Sequence, residues 1–302
     1  MLPSFLTAIL FALSAASAQR TTRMIGSMPA NFWRLLAGAL FLAVYAHTLG
    51  TGLTGKGLPC FLLSGSIGFG FGDIALFLAL RLLGSRLSVL MMHCLAAPFG
   101  ALAEWLWMGT TLNGAQMGWG GVILVGVTLA LAPGKHLTLS RKQLLTGILC
   151  GCIAALGQGF GAVMSRKAYE ITRLAGEHID GITAAYQRIL GGLLIALIAF
   201  ILVKIFGKSI PPESDTSQSG GLRERIWPWV LLNAFAGPVL GVSCYQWALS
   251  DTPSGVVLPI VATTPIAVIP FAYFMEGDRP TRRSILGAVI AVIGAIALAI
   301  VK

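Results

Sequence analysis

The chain has 302 residues, 56% of them hydrophobic and only 11% charged, with a formal net charge of +10. A water-soluble domain carries roughly 25% charged residues to wet its surface, so the composition excludes a soluble globule and points to an integral membrane protein. The 21 Lys and Arg residues lie mostly between apolar runs and form no patch interleaved with aromatics. That argues against a nucleic-acid partner and reads as headgroup and orientation charge.

The first apolar run ends in "ILFALSAASAQRTTRMIG", residues 9 to 26. Ala16-Ser17-Ala18 has the small-x-small form of a signal-peptidase site, yet no Lys or Arg precedes the run as a signal peptide requires. The expectation is a retained first helix. A bilayer crossing takes about 20 apolar residues. In chain order the candidate spans are Leu2–Ala18, Phe32–His47, Gly57–Leu80, Leu87–Met108 and Gly114–Pro133. After the connector "GKHLTLSRK" come Gln143–Met164, Gly181–Val203, Ile226–Leu249, Ser254–Met275 and Ser284–Val301. Residues 207–225, rich in Pro, Ser, Gly and charge, read as a mobile loop. The five cysteines all fall inside apolar runs, and Cys150-Gly-Cys152 lacks the spacing of a zinc or redox pair. No metal and no cofactor is expected.

The two halves repeat. With Pro59 set on Pro228, Leu62-Leu63 meets Leu231-Leu232, Ser64 meets Asn233, Gly68 meets Gly237 and Gly72 meets Gly241. Pro98 then pairs with Pro265, and Ala12-Leu13-Ser14 with Ala155-Leu156-Gly157. The expected units are 1–134 and 143–302, each of five helices. Because five is odd, the second unit enters the membrane from the opposite face, which gives inverted repeats with a site near the midplane between them. The fold class expected is therefore all-α integral membrane, with ten transmembrane helices in two inverted five-helix repeats.

In each repeat a proline in the fourth helix precedes a turn and a Gly-rich fifth helix: Pro98, Gly109, Gly118, Gly120, Gly121 and Gly126, then Pro265, Glu276-Gly277, Gly287 and Gly294. This arrangement resembles the drug/metabolite transporter superfamily, specifically its EamA-like ten-span members, over nearly the whole chain. The resemblance implies a transporter of the cell (plasma or inner) membrane and not an enzyme. Lys and Arg concentrate in the odd-numbered connections, which would put both termini outside. Ten-span relatives are usually drawn with termini inside, so orientation stays open.

Ser64, Gly68 and Gly72, and likewise Asn233, Gly237 and Gly241, recur every four residues and permit close backbone approach in lipid. With Pro98 and Pro265 they are read as packing or hinge positions of a moving seam. Asp73 lies about 12 Å along its helix before Arg81, within the hydrocarbon, where an ionised acid marks function by default. Its repeat counterpart is Val242. It would bind a cationic or amine-bearing substrate or carry a coupling proton, unless it pairs with a buried Arg for structure. His93 and Glu104 share one face three turns apart; a packing histidine and an interfacial glutamate are their bland alternatives. Gln158, Tyr245 and Gln246 are polar groups at membrane depth that could bond cargo or another helix. Arg34 and Arg188 occupy matching places and read first as snorkelling residues, second as anion holders.

The function expected is a secondary-active transporter, working as an exporter, of small polar metabolites by alternating access. No GxxxxGK[ST] motif occurs, so an ion gradient or exchange would drive it. A passive channel or lipid translocator is the alternative; an intramembrane enzyme is disfavoured, since no nucleophile elbow is present. The partners are a small-molecule substrate and the bilayer, with a proton or other coupling ion and a homodimer left open.

Overall fold

The computed structural model describes residues 2–108, 113–131, 140–206, 222–252, 254–276 and 279–301, and among them every regular element is helical. Helices α1 (Leu2–Ile25) and α2 (Ser27–Thr48) join at Gly26, whose φ of 87° is a conformation only glycine adopts freely. Then come α3 (Leu58–Gly65), a π-helical segment Ser66–Gly72, α4 (Asp73–Met108) and α5 (Gly114–Leu131). The chain continues through α6 (Arg141–Leu174), α7 (Gly181–Phe206), α8 (Leu222–Ala234), a second π-helical segment Phe235–Gly241 and α9 (Val242–Asp251). It ends with α10 (Ser254–Val261), α11 (Thr264–Glu276) and α12 (Arg282–Ile300). Seven helical segments among the described residues are long and apolar enough to cross a membrane, and Met117–Ala130 is a shorter apolar helix.

The expected spans Gly57–Leu80 and Leu87–Met108 emerge as one run, Leu58–Trp107, sharply bent at Gly84 (φ 80°, ψ 171°). Only a residue without Cβ holds that angle at low cost, so the glycine turns the chain back without a loop. The expected span Ser254–Met275 is interrupted between Val261 and Thr264. Helix α6 runs ten residues beyond its expected end at Met164. Its polar extension stays helical because Ser165, Ala168, Tyr169 and Thr172 are buried, and Arg166 caps the neighbouring α9 by donating to the carbonyls of Leu249 (2.8 Å) and Ser250 (3.3 Å). Of the loop expected at 207–225, residues 222–225 are helical, a correction: they form the first turn of α8. Residues 207–221, most of the connector between α5 and α6, Gly109 and Gly277 lie outside the described residues, as do the side chains of Glu104 and Glu276.

The π segments have readable causes. The first, SIGFGFG, has three glycines among its seven residues; the second, FAGPVLG, contains Pro238, which lacks a donor and crowds the carbonyl four residues back. Each widens by one residue per turn, so that the Asp73 N–H bonds the Gly68 carbonyl and the Val242 N–H bonds the Gly237 carbonyl. Close backbone contact holds the surrounding helices. A Cβ at Gly65 would stand 1.6 Å from the Arg188 carbonyl oxygen, and one at Gly191 would stand 1.9 Å from that of Leu62. Helices α3 and α7 thus cross with no side chain between them, the packing lipid favours because apolar tails do not drive helices together.

Candidate functional site

At the centre lies an ion pair. Arg34, on α2, donates to the Asp73 carboxylate at the start of α4, and both side chains are nearly sealed, at 7% and 5% exposure. Asn31, one turn before Arg34, accepts from its Nε (3.3 Å) and Nη2 (3.2 Å), and the Phe77 ring lies 4.8 Å below the guanidinium. Asp73 is accordingly neutralised inside the protein. The pairing with a buried arginine, the alternative raised for it above, is the arrangement present.

Arg188, on α7, is also fully buried, at 1% exposure. Snorkelling is thereby overturned for both arginines: neither reaches an interface, because α2 and α7 face the protein centre at these positions. Arg188 lies over the rings of Phe69 (4.8 Å) and Tyr245 (5.6 Å). Its Nε and Nη2 have no hydrogen-bond partner among the described residues, and neither does the Tyr245 hydroxyl. A buried cation whose donors lack hydrogen-bond partners is costly, and Asp73 acts on it only through space.

A small cavity of about 50 Å³ joins Arg34, Asp73, His93 and Gln158 with Phe11 and Gly237, room for a few waters between these polar groups and a largely apolar wall. His93 is stacked on Phe11 (5.7 Å), its Nδ1 without a partner among the described residues; the Gln158 Nε2 is likewise unsatisfied. Tyr245 also contacts Phe11, with ring centroids 6.0 Å apart. Of the residues expected to bind substrate or protons, Asp73, His93 and Gln158 thus share one space, with Tyr245 adjoining it. Gln246 is placed elsewhere. Its Nε2 donates to Ser165 Oγ (3.2 Å), itself 2.9 Å from Ser64 Oγ, in a network linking α3, α6 and α9. Glu104 lies on α4, with its side chain outside the described residues.

The packing positions sit directly around this centre. Ser64 donates to the Gly161 carbonyl (2.7 Å), and Asn233 accepts from Ser14 (2.7 Å). A Cβ at Gly68 would come 2.8 Å from Arg188 Nη2, and one at Gly237 would come 3.2 Å from Arg34 Nη1. Each arginine therefore lies against the π segment of the opposite half of the chain. Gly72 meets Gly157 backbone to backbone, and Gly241 meets Phe11. Pro98 is half-buried within α4, and Pro265 is buried in the first turn of α11.

A larger vestibule of about 480 Å³ opens where the α6–α7 turn meets the end of α9. Tyr169, Asp180, Cys244 and Trp247 contribute to its wall, with Glu177 and Asp251. Asp180 is already engaged: it caps α7, accepting from the Ile182 and Thr183 amides at 2.8 and 2.9 Å. Sequence reasoning missed Asn31, Phe11 and Tyr169, and set Arg34 and Arg188 at the headgroups. The matching positions of the two arginines were the one signal that could have placed them at the centre. Among the described residues no group of three metal-capable side chains occurs, and the cysteines are free.

The comparisons with known proteins agree with this architecture. One solved crystal structure of a protein superposes with a TM-score of 0.65 at 17% identity, covering 98% of this chain and 94% of that one. At that identity the likeness concerns the fold alone. No curated protein matches the chain. The model of the EamA-like transporter family matches residues 1–132 and 145–300. These spans take in nearly all of the sequence, and the chain belongs to the EamA-like transporter family, multi-pass membrane transporters and not enzymes.

Proposed function

We propose that the chain is a secondary-active carrier, working as an exporter of small polar metabolites by alternating access between two inverted five-helix repeats, 1–134 and 143–302. Divided at Gly84, and with α8 and α9 joined across their π segment and α10 and α11 read as one broken span, the helices make ten crossings. One observation carries the reading: the buried Arg34 touches Gly237 and the buried Arg188 touches Gly68, so each repeat inserts a cation against the widened helix of the other. Reciprocal contacts of this kind across a pseudo-two-fold axis are what a rocking interface with a central site requires. The backbone contacts of Gly65, Gly72, Gly157 and Gly191 let packed helices shift without side chains interlocking.

The cavity holding Asp73, His93 and Gln158 is the proposed substrate- or proton-binding centre. Asp73 acts there through exchange: protonation or an arriving cation would release Arg34, and release would alter the contact at Gly237. Purified protein in liposomes, loaded with a panel of metabolites with and without an imposed proton gradient, tests the carrier reading. Saturable, gradient-dependent flux is expected. Flux that rises linearly with concentration and ignores the gradient would make the protein a passive channel and sink the proposal.

A further inference from the structure

We infer that Arg188, with the Tyr245 hydroxyl beside it, is the anchor for the carboxylate of a monoanionic organic substrate. The inference rests on the carrier reading above and names its cargo class. It starts from a broken symmetry. Arg34 and Arg188 occupy equivalent places, each against the glycine of the opposite π segment. Around Arg34 the charge is balanced by Asp73, the first residue after its π segment. The equivalent residue after the second π segment is Val242, which clusters with Phe69, the ring beneath Arg188.

Asn31, the second acceptor at Arg34, likewise has Ala185 as its equivalent. Arg188 therefore keeps the matching place but has no acid in hydrogen-bonding contact among the described residues, and Asp73 acts on it only through space. Its Nε and Nη2, 1% exposed with the whole residue, and the Tyr245 hydroxyl, on a residue with 0% exposure, are all without hydrogen-bond partners among the described residues. A planar fork of donors with a phenol beside it matches a carboxylate, which accepts two parallel N–H bonds and one O–H bond.

Entry to this buried pair would come from the vestibule side, by opening the contact between Tyr169 and its neighbours. Tyr169 lines the vestibule, belongs to the same buried cluster as Tyr245, and has an unpartnered hydroxyl of its own. The vestibule wall bears Glu177 and Asp251 beside Arg173. Carboxylates at the entrance repel multiply charged anions more than single ones, which restricts the cargo to monoanions. Phe69 and Tyr245 supply an apolar lining on which the remainder of a small organic acid rests.

The test uses the full chain in nanodiscs and reads its unfolding temperature against L-lactate, with lactamide as the isosteric neutral probe, succinate as the dianion, and inorganic phosphate and chloride as simple anions. A saturable upward shift is expected with lactate, little with succinate, and none with lactamide, phosphate or chloride. Arg188→Gln should lose the lactate shift, and Arg188→Lys should weaken it. Because removing a buried arginine can simply impair folding, Val242→Asp is the decisive variant. It places an acid at the position equivalent to Asp73, beside Phe69 and in the wall shared with Arg34 and Asp73, so it should lose the lactate shift while a cooperative unfolding transition shows that the chain still folds. A lactate shift that survives in Val242→Asp, an equal response to lactamide, or a response to phosphate or chloride alone would overturn the inference. Liposome counterflow separates the two readings. Saturable flux of a neutral or cationic metabolite that is unaffected by Arg188→Gln leaves the carrier and removes the anchor. A saturable lactate shift without any flux keeps the anchor and removes the carrier.

Discussion

Replacing Asp73 by Asn removes one unit of charge from a buried pair while keeping its shape and one acceptor oxygen. The two partners are 7% and 5% exposed and in direct contact. At an effective dielectric constant of about 20, unit charges about 4 Å apart attract by about 4 kcal/mol. Buried pairs broken on one side lose about 3–5 kcal/mol, because the remaining ion stays desolvated and unpaired. Asn31 continues to accept from the guanidinium, which puts the expected loss at the lower end, about 3 kcal/mol. Removing Arg34 as well abolishes the orphaned cation, so Arg34→Gln combined with Asp73→Asn should recover most of that loss. A double-mutant cycle by reversible detergent-titration unfolding should return a coupling of about 2–3 kcal/mol. Additive effects, with coupling under about 0.5 kcal/mol, would mean that the contact carries no net interaction, and the account of the central site would fail with it.

Gly65→Ala should abolish folded expression, since its Cβ would stand 1.6 Å from a backbone oxygen, whereas Gly118→Ala meets nothing within 4 Å and should be neutral or gain up to about 1 kcal/mol of helix propensity; fluorescence-detected size exclusion of the two variants distinguishes them. Ser14→Ala leaves the buried Asn233 Oδ1 without the donor shown at 2.7 Å, a loss of about 1–3 kcal/mol that the same unfolding assay reads; no change would remove this bond from the α1–α8 contact. A water-soluble maleimide should label Cys244, which lines the vestibule, and spare the fully buried Cys94, with labelled sites read by peptide mass spectrometry. Equal labelling of both would contradict the vestibule's placement.

Membrane residence and helical character followed from composition and run length, because hydrocarbon tolerates little exposed polar backbone and each helix satisfies its own. The pairing of Gly68 with Gly237 and of Arg34 with Arg188 could be read off the spacing, and these residues do occupy matching contacts. Asp73 was legible as an unusual residue because a charge at that depth has few explanations. Its partner was not, since Arg34 lies 39 residues away and no local rule connects positions so far apart. Span counting also misjudged depth. An arginine two turns inside a helix end looks like a snorkelling residue in one dimension, and only the crossing of α2 and α7 with the π segments shows it enclosed.

The sequence by itself determined the solvent the chain lives in and the periodic small residues that allow helices to touch, because both are set by side-chain type and spacing. Only the tertiary structure decided which charges are cancelled. Asp73 pairs directly with Arg34, while the equivalent position holds Val242, packed with Phe69, the ring beneath Arg188. Coulomb energy depends on distance in space and on local burial, and neither quantity exists until the helices have packed.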